Sequence, residues 1–158
     1  MTVQDVMTRR VATCRLETNL AEATARMWEN DCGSLPVISD EGRLAGMVTD
    51  RDICIAMGTR NVRSSQICVK DLVRNHVLTC GPSDDIHMAL TTMREGKVRR
   101  LPVVNEQGAV VGIISMDDLV LNAERDGRMG SAISYADVVN TLQGIYAREL
   151  VVDEPAAA

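Results

Sequence analysis

Two stretches of the chain set a glycine, a hydroxyl and a carboxylate at their first, fourth and seventh positions: Gly46-Met47-Val48-Thr49-Asp50-Arg51-Asp52 and Gly112-Ile113-Ile114-Ser115-Met116-Asp117-Asp118. A glycine lets a ligand or another backbone come close, and the exposed amides of a helix start favour an anion. The hydroxyl can donate to a phosphate, and a carboxylate one helical turn later can accept both hydroxyls of a ribose. Taken singly, each stretch reads first as an ordinary helix cap, because Ser/Thr-x-x-Asp is the form of a capping box. The pattern occurs twice, with the same glycine and after the same Leu-Pro-Val run (35–37 and 101–103). That repetition favours a ligand site.

Charge is unequal between the two stretches. Arg51 has an acid, Asp117, at the corresponding place, and Lys97, Arg99 and Arg100 stand where the first stretch's surroundings have Asp31, Gly33 and Ser34. Guanidinium forks match phosphate oxygens, so these arginines are candidate phosphate contacts, with a solvated basic face as the alternative. Asp50, Asp52, Asp117 and Asp118 are dense enough to suggest Mg²⁺, yet acids in a first helical turn also follow from the helix dipole. A magnesium ion carried by a bound nucleotide suits them better than a protein-only metal site. His76 and His87 lack the clustered nucleophile or carboxylate of a triad and read as surface or packing residues, so no catalytic residue and no enzyme are expected. The five cysteines show no C-x-x-C pair, which speaks against structural zinc and for reduced packing residues. Cys14 and Cys80 occupy equivalent places, and redox chemistry and core packing both account for that.

The background supports a small-molecule site over other partners. The chain has 158 residues, 46% hydrophobic and 25% charged, with a net charge of -5. That balance builds a soluble core without disulfides, and a net negative chain is a poor general binder of nucleic acid. One Trp, two Tyr and no Phe leave little for stacking on single-stranded bases. No apolar run approaches a bilayer span and the first residues do not read as a secretory signal, so a cytoplasmic protein without a membrane partner is expected.

An internal repeat must position the chemistry. Val3 to Met57 aligns with Val69 to Ala123 at a constant offset of 66 without a gap, matching Asp5/Asp71, Pro36/Pro102, Gly42/Gly108, Gly46/Gly112 and Asp52/Asp118. Each copy reads as a short apolar strand (Val11–Cys14; Val77–Cys80), then a helix with an apolar stripe (Ile86, Ala89, Leu90, Met93). A hairpin turning at Gly42 or Gly108 and a short helix from Asp50 or Met116 complete it. The fold class expected is α+β, two β-α-β-β-α units. The first repeat spans 1–60, a polar linker 61–68 and the second repeat 69–125, and an amphipathic helix lies in 131–150 with a Ser134/Asp137 capping box. Its stripe of Tyr135, Val138, Val139, Leu142, Ile145 and Tyr146 requires burial, and a homodimer is expected on that ground and because the repeats leave helix faces uncovered.

The duplicated unit, the Leu-Pro-Val strands, the glycine-hydroxyl-aspartate signature and the leading Asp5-Val6-Met7-Thr8 resemble a tandem CBS-domain pair, the family named for cystathionine beta-synthase. The resemblance covers residues 1 to about 123. It implies two units packed around a pseudo-two-fold axis with clefts for adenosyl ligands such as AMP, ADP, ATP or S-adenosylmethionine. Carried onto this chain, it implies Thr49 and Ser115 on phosphate and Asp52 and Asp118 on ribose, with Gly46 and Gly112 at the junctions and Arg51, Arg99 and Arg100 on the central cleft. Thr13–Arg15, Thr79–Gly81 and the two Leu-Pro-Val strands would frame the adenine. It points to a non-enzymatic regulatory module, a homodimer that signals to an effector protein. A scaffold module with degenerate clefts and a redox- or metal-responsive stress protein are the rival readings.

Overall fold

Asn19 caps a helix by accepting from the Glu22 N–H, Gly42 turns a hairpin, and Thr49 caps the next helix; the same punctuation recurs one repeat later. The computed structural model describes residues 1–73, 77–124 and 133–147. In chain order the elements are α1 (Val3–Val6), β1 (Cys14–Arg15), α2 (Leu20–Glu29), β2 (Ser34–Ile38), β3 (Leu44–Thr49) and α3 (Asp50–Thr59). The second half has α4 (Ile86–Gly96), β4 (Arg100–Val104), β5 (Val110–Ser115), α5 (Met116–Leu121) and α6 (Tyr135–Tyr146). This is the α+β double unit the repeat predicts, with an added C-terminal helix.

In the first unit β1 lies parallel to β2, and β2 antiparallel to β3. In the second, β4 and β5 form the matching hairpin in the same register, Arg100 opposite Ser115 as Ser34 is opposite Thr49. Gly42 and Gly108 turn the two hairpins at φ of +78° and +79°, where a side chain would be strained. The strand expected over Val77–Cys80 shrinks to one parallel bridge between Cys80 and Val103. Gly81, in the place of Arg15, gives its N–H to Asp84 Oδ2 at 2.7 Å, and Pro82 has no N–H to prolong a ladder.

The packing units are not the sequence repeats. Val3 and Met7, from the start of the first repeat, are buried in the core of the second with Ile86, Leu101, Ile114 and Leu119. Ile67, from the end of the linker, and Val69, from the start of the second, are buried in the core of the first with Leu20, Leu35 and Val48. Backbone bonds fix both crossings. Thr8 and Ile113 exchange N–H to O bonds of 2.9 and 3.0 Å, while Val69 N–H reaches Thr18 O at 2.8 Å and Leu20 N–H reaches Ile67 O at 2.9 Å. Burying each such aliphatic side chain stabilises the fold by about 1.5–3 kcal/mol, so each unit loses an essential part of its core without the other's leading turn.

The C-terminal helix also packs on the second unit. Val138, Thr141 and Ile145 face inward, Ile133 before them is fully buried, and α6 lies so close to α4 that a Cβ on Gly144 would stand 2.2 Å from Arg94 Cγ. Half of the apolar stripe is therefore covered within the chain, and the remaining half, Tyr135, Val139 and Tyr146, is exposed. The stripe by itself does not demand a second copy. Cys14 and Cys80 are core residues, and burial pushes their thiols up to about 11 and about 12. Both are neutral and shielded at physiological pH, which accounts for their equivalence by packing. None of the five cysteines forms a disulfide. No helix among the described residues is long and apolar enough to cross a membrane. His87 sits half-exposed between Asp85 and Asp137, and His76 lies outside the described residues.

Two outcomes follow from this packing. A Cβ on Gly46 would stand 2.0 Å from Val73 Cγ1, whereas one on Gly58 would meet nothing within 4 Å. Gly46→Ala should therefore cost about 1–3 kcal/mol in urea unfolding, while Gly58→Ala, on the open side of α3, should be neutral or stabilising by up to about 1 kcal/mol. Equal midpoints for the two variants would contradict the crossing. Separately, the Ser134 hydroxyl and N–H donate to Asp137 Oδ2 at 2.6 and 2.9 Å and hold that carboxyl below the usual aspartate range. A lowered group gives stability that is fully present above its ordinary value near 3.9 and disappears as pH falls through the lowered one. Ser134→Ala should thus cost about 1 kcal/mol at neutral pH, and the gap from the parent should narrow below about pH 4 to the part held by the Asp137 N–H on Ser134 Oγ; a gap unchanged by acid would show that the bonds to the Asp137 carboxylate are not a source.

Candidate functional site

The hairpin and the helix that follows it present the same junction twice, and each is a complete capping box. Thr49 N–H and Oγ donate to Asp52 Oδ2 at 3.0 and 2.7 Å, and Asp52 N–H returns to Thr49 Oγ at 3.2 Å. At the second junction Ser115 N–H and Oγ reach Asp118 Oδ2 at 2.8 and 2.6 Å, with Asp118 N–H on Ser115 Oγ at 3.2 Å. The Ser134/Asp137 pair at the start of α6, outside the two repeats, makes the same bonds. The capping reading is therefore realised at all three places, and the local motif alone does not mark a ligand site. What lies around each carboxylate does.

Around Asp52 a cleft of about 430 Å³ opens between the two units. Its floor on one side is Gly33, Ser34, Met47, Thr49 and Asp52; the other side is Leu72, Val77, Leu78, Val98 and Pro102. Arg51, Arg99 and Arg100 line the same space, so residues far apart in the chain converge on one cleft. Thr49 is the last residue of β3 and N-cap of α3, and Arg51 and Asp52 fall in the first turn beyond it. Arg99 and Arg100 reach the cleft from the start of β4, opposite Ser115 in the hairpin. Among the described residues none of the three arginines has a carboxylate within ion-pair distance, and Asp52 Oδ1 accepts no hydrogen bond. The cleft thus joins an unengaged carboxylate oxygen and three unpaired cations to an apolar wall. An apolar wall with few convergent polar groups is the make-up of a small-molecule site, here with donors for an anion and an acceptor for hydroxyls.

Asp118 is placed differently. Its Oδ1 accepts the Thr8 hydroxyl at 3.1 Å, so both oxygens are engaged. Gly46 and Gly112 lie behind the junctions and not on the cleft wall: Val73 fills the space over Gly46, and Met7 Sδ and Thr8 O stand 2.6 and 3.1 Å from a Cβ on Gly112. Each glycine admits the leading segment of the other repeat. Thr79–Gly81 line a separate groove with Val104–Gln107, and Val77 and Leu78 occupy the cleft wall in their stead. Sequence reasoning missed Leu72, Val77, Leu78 and Val98 as lining residues; their signal, apolar residues flanking a repeat boundary, is indistinguishable from core packing. Asp50 is exposed, with Oδ1 accepting its neighbour's N–H at 2.7 Å. Among the described residues no three His, Cys, Asp or Glu side chains come together as metal ligands.

Known proteins resemble this chain in sequence and fold. The chain is 33% identical over 132 residues to the CBS domain-containing protein YhcV of Bacillus subtilis, covering 84% of this chain and 92% of that one. A crystal structure of CBSX2 in complex with AMP superposes with a TM-score of 0.67 at 30% identity, over 76% of this chain and 93% of that one. Hypoxic Response Protein I, solved with two coordinated zinc ions, gives 0.71 at 31% identity, over 78% and 100%. The CBS domain pair of MJ0100, solved with 5'-methylthioadenosine and S-adenosyl-L-methionine, gives 0.69 at 21% identity over 77% and 94%, a likeness of fold. Some relatives carry enzyme names, such as L-aspartate semialdehyde sulfurtransferase of Methanosarcina acetivorans at 32% identity, but the chain spans only 23% of that protein's length. The CBS domain model matches residues 3–58 and again 69–124, and with two such copies packed core to core the chain belongs to the CBS domain family as a tandem pair.

Proposed function

We propose that this CBS pair is a regulatory module that binds an adenosyl ligand, of the class AMP, ADP, ATP or S-adenosylmethionine, in the Asp52 cleft. The observation that carries this reading is the convergence, in one cleft, of Thr49 and Asp52 from the first unit with Arg99 and Arg100 from the second. Asp52 Oδ1 would accept ribose hydroxyls, and Thr49 can turn its hydroxyl proton toward a phosphate while its lone pair keeps the Asp52 N–H. Val77, Leu78, Val98 and Met47 offer the flat apolar surface an adenine needs. The adenosyl compounds bound by CBSX2 and MJ0100 support the class. Magnesium enters only with a polyphosphate, and no protein-bound cofactor is required.

A ligand in this cleft touches both units at once, and signalling follows from that. Leu72 and Val77, at the ends of the segment that joins the units, are part of the wall, so occupancy biases how the second unit's leading segment lies against the first. The reading has no catalytic step. The module acts in the cytoplasm as a homodimer, passing ligand-dependent shape to an effector protein. The exposed Trp28 and Ile55 on the helices of the first unit favour a partner there.

Differential scanning with adenosine, AMP, ADP, ATP, S-adenosylmethionine and zinc, each with and without magnesium, tests the reading. A bound adenosyl ligand at a hundred times its Kd should raise stability by about 2.7 kcal/mol. Asp52→Ala should lose about tenfold or more in affinity, the cost of a charged hydrogen-bond acceptor, with Asp52→Asn as the variant that keeps the cap. A shift with zinc alone, and with none of the nucleosides, would replace this reading with a metal-responsive one. For the assembly, light scattering should give twice the chain mass; a monomer at high concentration would remove the dimer and leave the cleft untouched.

A further inference from the structure

The two junctions share a sequence pattern, yet they differ in local charge and in what engages the second carboxylate oxygen. Around Asp52 stand Arg51, Arg99 and Arg100, three cations against the carboxylates of Asp50 and Asp52. At the second junction Asp117 stands in the place of Arg51, while Arg100, paired opposite Ser115, lies next to both junctions, so the charge difference between them is the exchange of Arg51 for Asp117. The carboxylates differ as well. Asp52 Oδ1 has no partner among the described residues, whereas Asp118 Oδ1 holds the Thr8 hydroxyl at 3.1 Å. That hydroxyl does not swing freely into place. Thr8 is paired through both its N–H and its carbonyl with Ile113, and Met7 beside it is buried in the second core.

We infer that the junctions have divided the work: the chain takes one nucleoside polyphosphate, in the Asp52 cleft, while the Asp118 carboxylate holds the chain's own N-terminal segment to the second unit. This rests on the adenosyl-ligand reading above and specifies its ligand and stoichiometry. Three guanidinium groups with no carboxylate partner among the described residues, in a partly open cleft, select for phosphate number, because each added phosphate charge gains charge-assisted bonds that a neutral nucleoside lacks. Those bonds are salt-sensitive, since charges at an exposed site are screened beyond about 8–10 Å. The Thr8 hydroxyl stands at Asp118 Oδ1 where a ribose hydroxyl would otherwise donate, and the acidic Asp117 beside it repels phosphate. Thr8 then holds Asp118 within the fold, and the charge of Asp117 keeps a polyphosphate out even where that hydroxyl is removed.

Isothermal titration of the full chain with adenosine, AMP, ADP and ATP, at low and at raised salt, tests this. One equivalent should bind, with affinity rising along that series and ATP losing most as salt rises. The Arg99→Ala, Arg100→Ala double variant should lose about tenfold or more in ATP affinity while adenosine changes by less than about twofold. Thr8→Val and Asp118→Asn should leave the ATP affinity and the single equivalent of the first site in place, and Asp52→Asn should not; Thr8→Val keeps the test open if Asp118→Asn destabilises α5. Two equal equivalents of ATP, a loss on Asp118→Asn matching that on Asp52→Asn, or parallel losses of adenosine and ATP in the double arginine variant would each overturn the division. Absence of binding by all four compounds is a different result, which overturns the adenosyl reading itself and the division with it.

Discussion

Everything in this molecule depends on the reciprocal exchange of leading segments between its two units. Val3 and Met7 complete one core, and Ile67 and Val69 complete the other. Small domains bury too little surface to be generously stable, and a β-α-β-β-α unit without its leading turn has an open end. Exchanging those turns closes both ends at once and makes a single cooperative body of two repeats. The exchange also dictates sequence locally. Gly46 and Gly112 must be bare because Val73 in one case, and Met7 with the Thr8 backbone in the other, occupy the space a Cβ would fill. The glycine that opens each signature is thus set by packing between repeats, at a motif whose hydroxyl and carboxylate have a separate use.

The cleft is a by-product of the same geometry. Each hairpin ends on a helix cap, and crossing brings the cap of one unit beside the β4 start and the joining segment of the other. A cap needs one carboxylate oxygen; a carboxylate has two. At Asp52 the second oxygen is left toward the cleft, and at Asp118 the crossing segment itself supplies a hydroxyl donor. Two copies of one motif therefore differ in chemistry through the residue that crosses behind them and through the charge of their neighbours. The redundancy of a tandem repeat permits this, since one junction can be committed to holding the fold while the other stays open to solvent.

The C-terminal helix breaks the symmetry further. Helices α4 and α5 are roofed by α6, whose Val138, Thr141 and Ile145 are buried there, while Trp28, 87% exposed, and Ile55 stay open on the corresponding face of the first unit. The second unit's helical face is thus partly covered, with Met88, Val120 and Leu121 still exposed beside α6.

Much of this was legible in the sequence by itself. The offset of 66, the paired Gly42 and Gly108 turns, the Leu-Pro-Val strands and the Ser/Thr-x-x-Asp caps are local or periodic signals, and local signals follow from backbone sterics and hydrogen bonding within a few residues. The convergence of Arg51, Arg99 and Arg100 on Asp52 was also readable, through the resemblance and the charge imbalance between repeats. The strand at Val77–Cys80 was over-read because periodicity cannot see that Pro82 and an Asp84-bound Gly81 N–H end the ladder. What only the tertiary structure decided is which unit each segment serves. Val3 and Val69 look alike in sequence as the opening of their own repeats, and nothing in their spacing says that each is buried in the other's core. Hydrophobic burial specifies that a residue be covered without specifying by what, so the exchange, the filling of the glycine sites, the inward face of α6 and the capture of Asp118 by Thr8 were settled by three-dimensional packing alone.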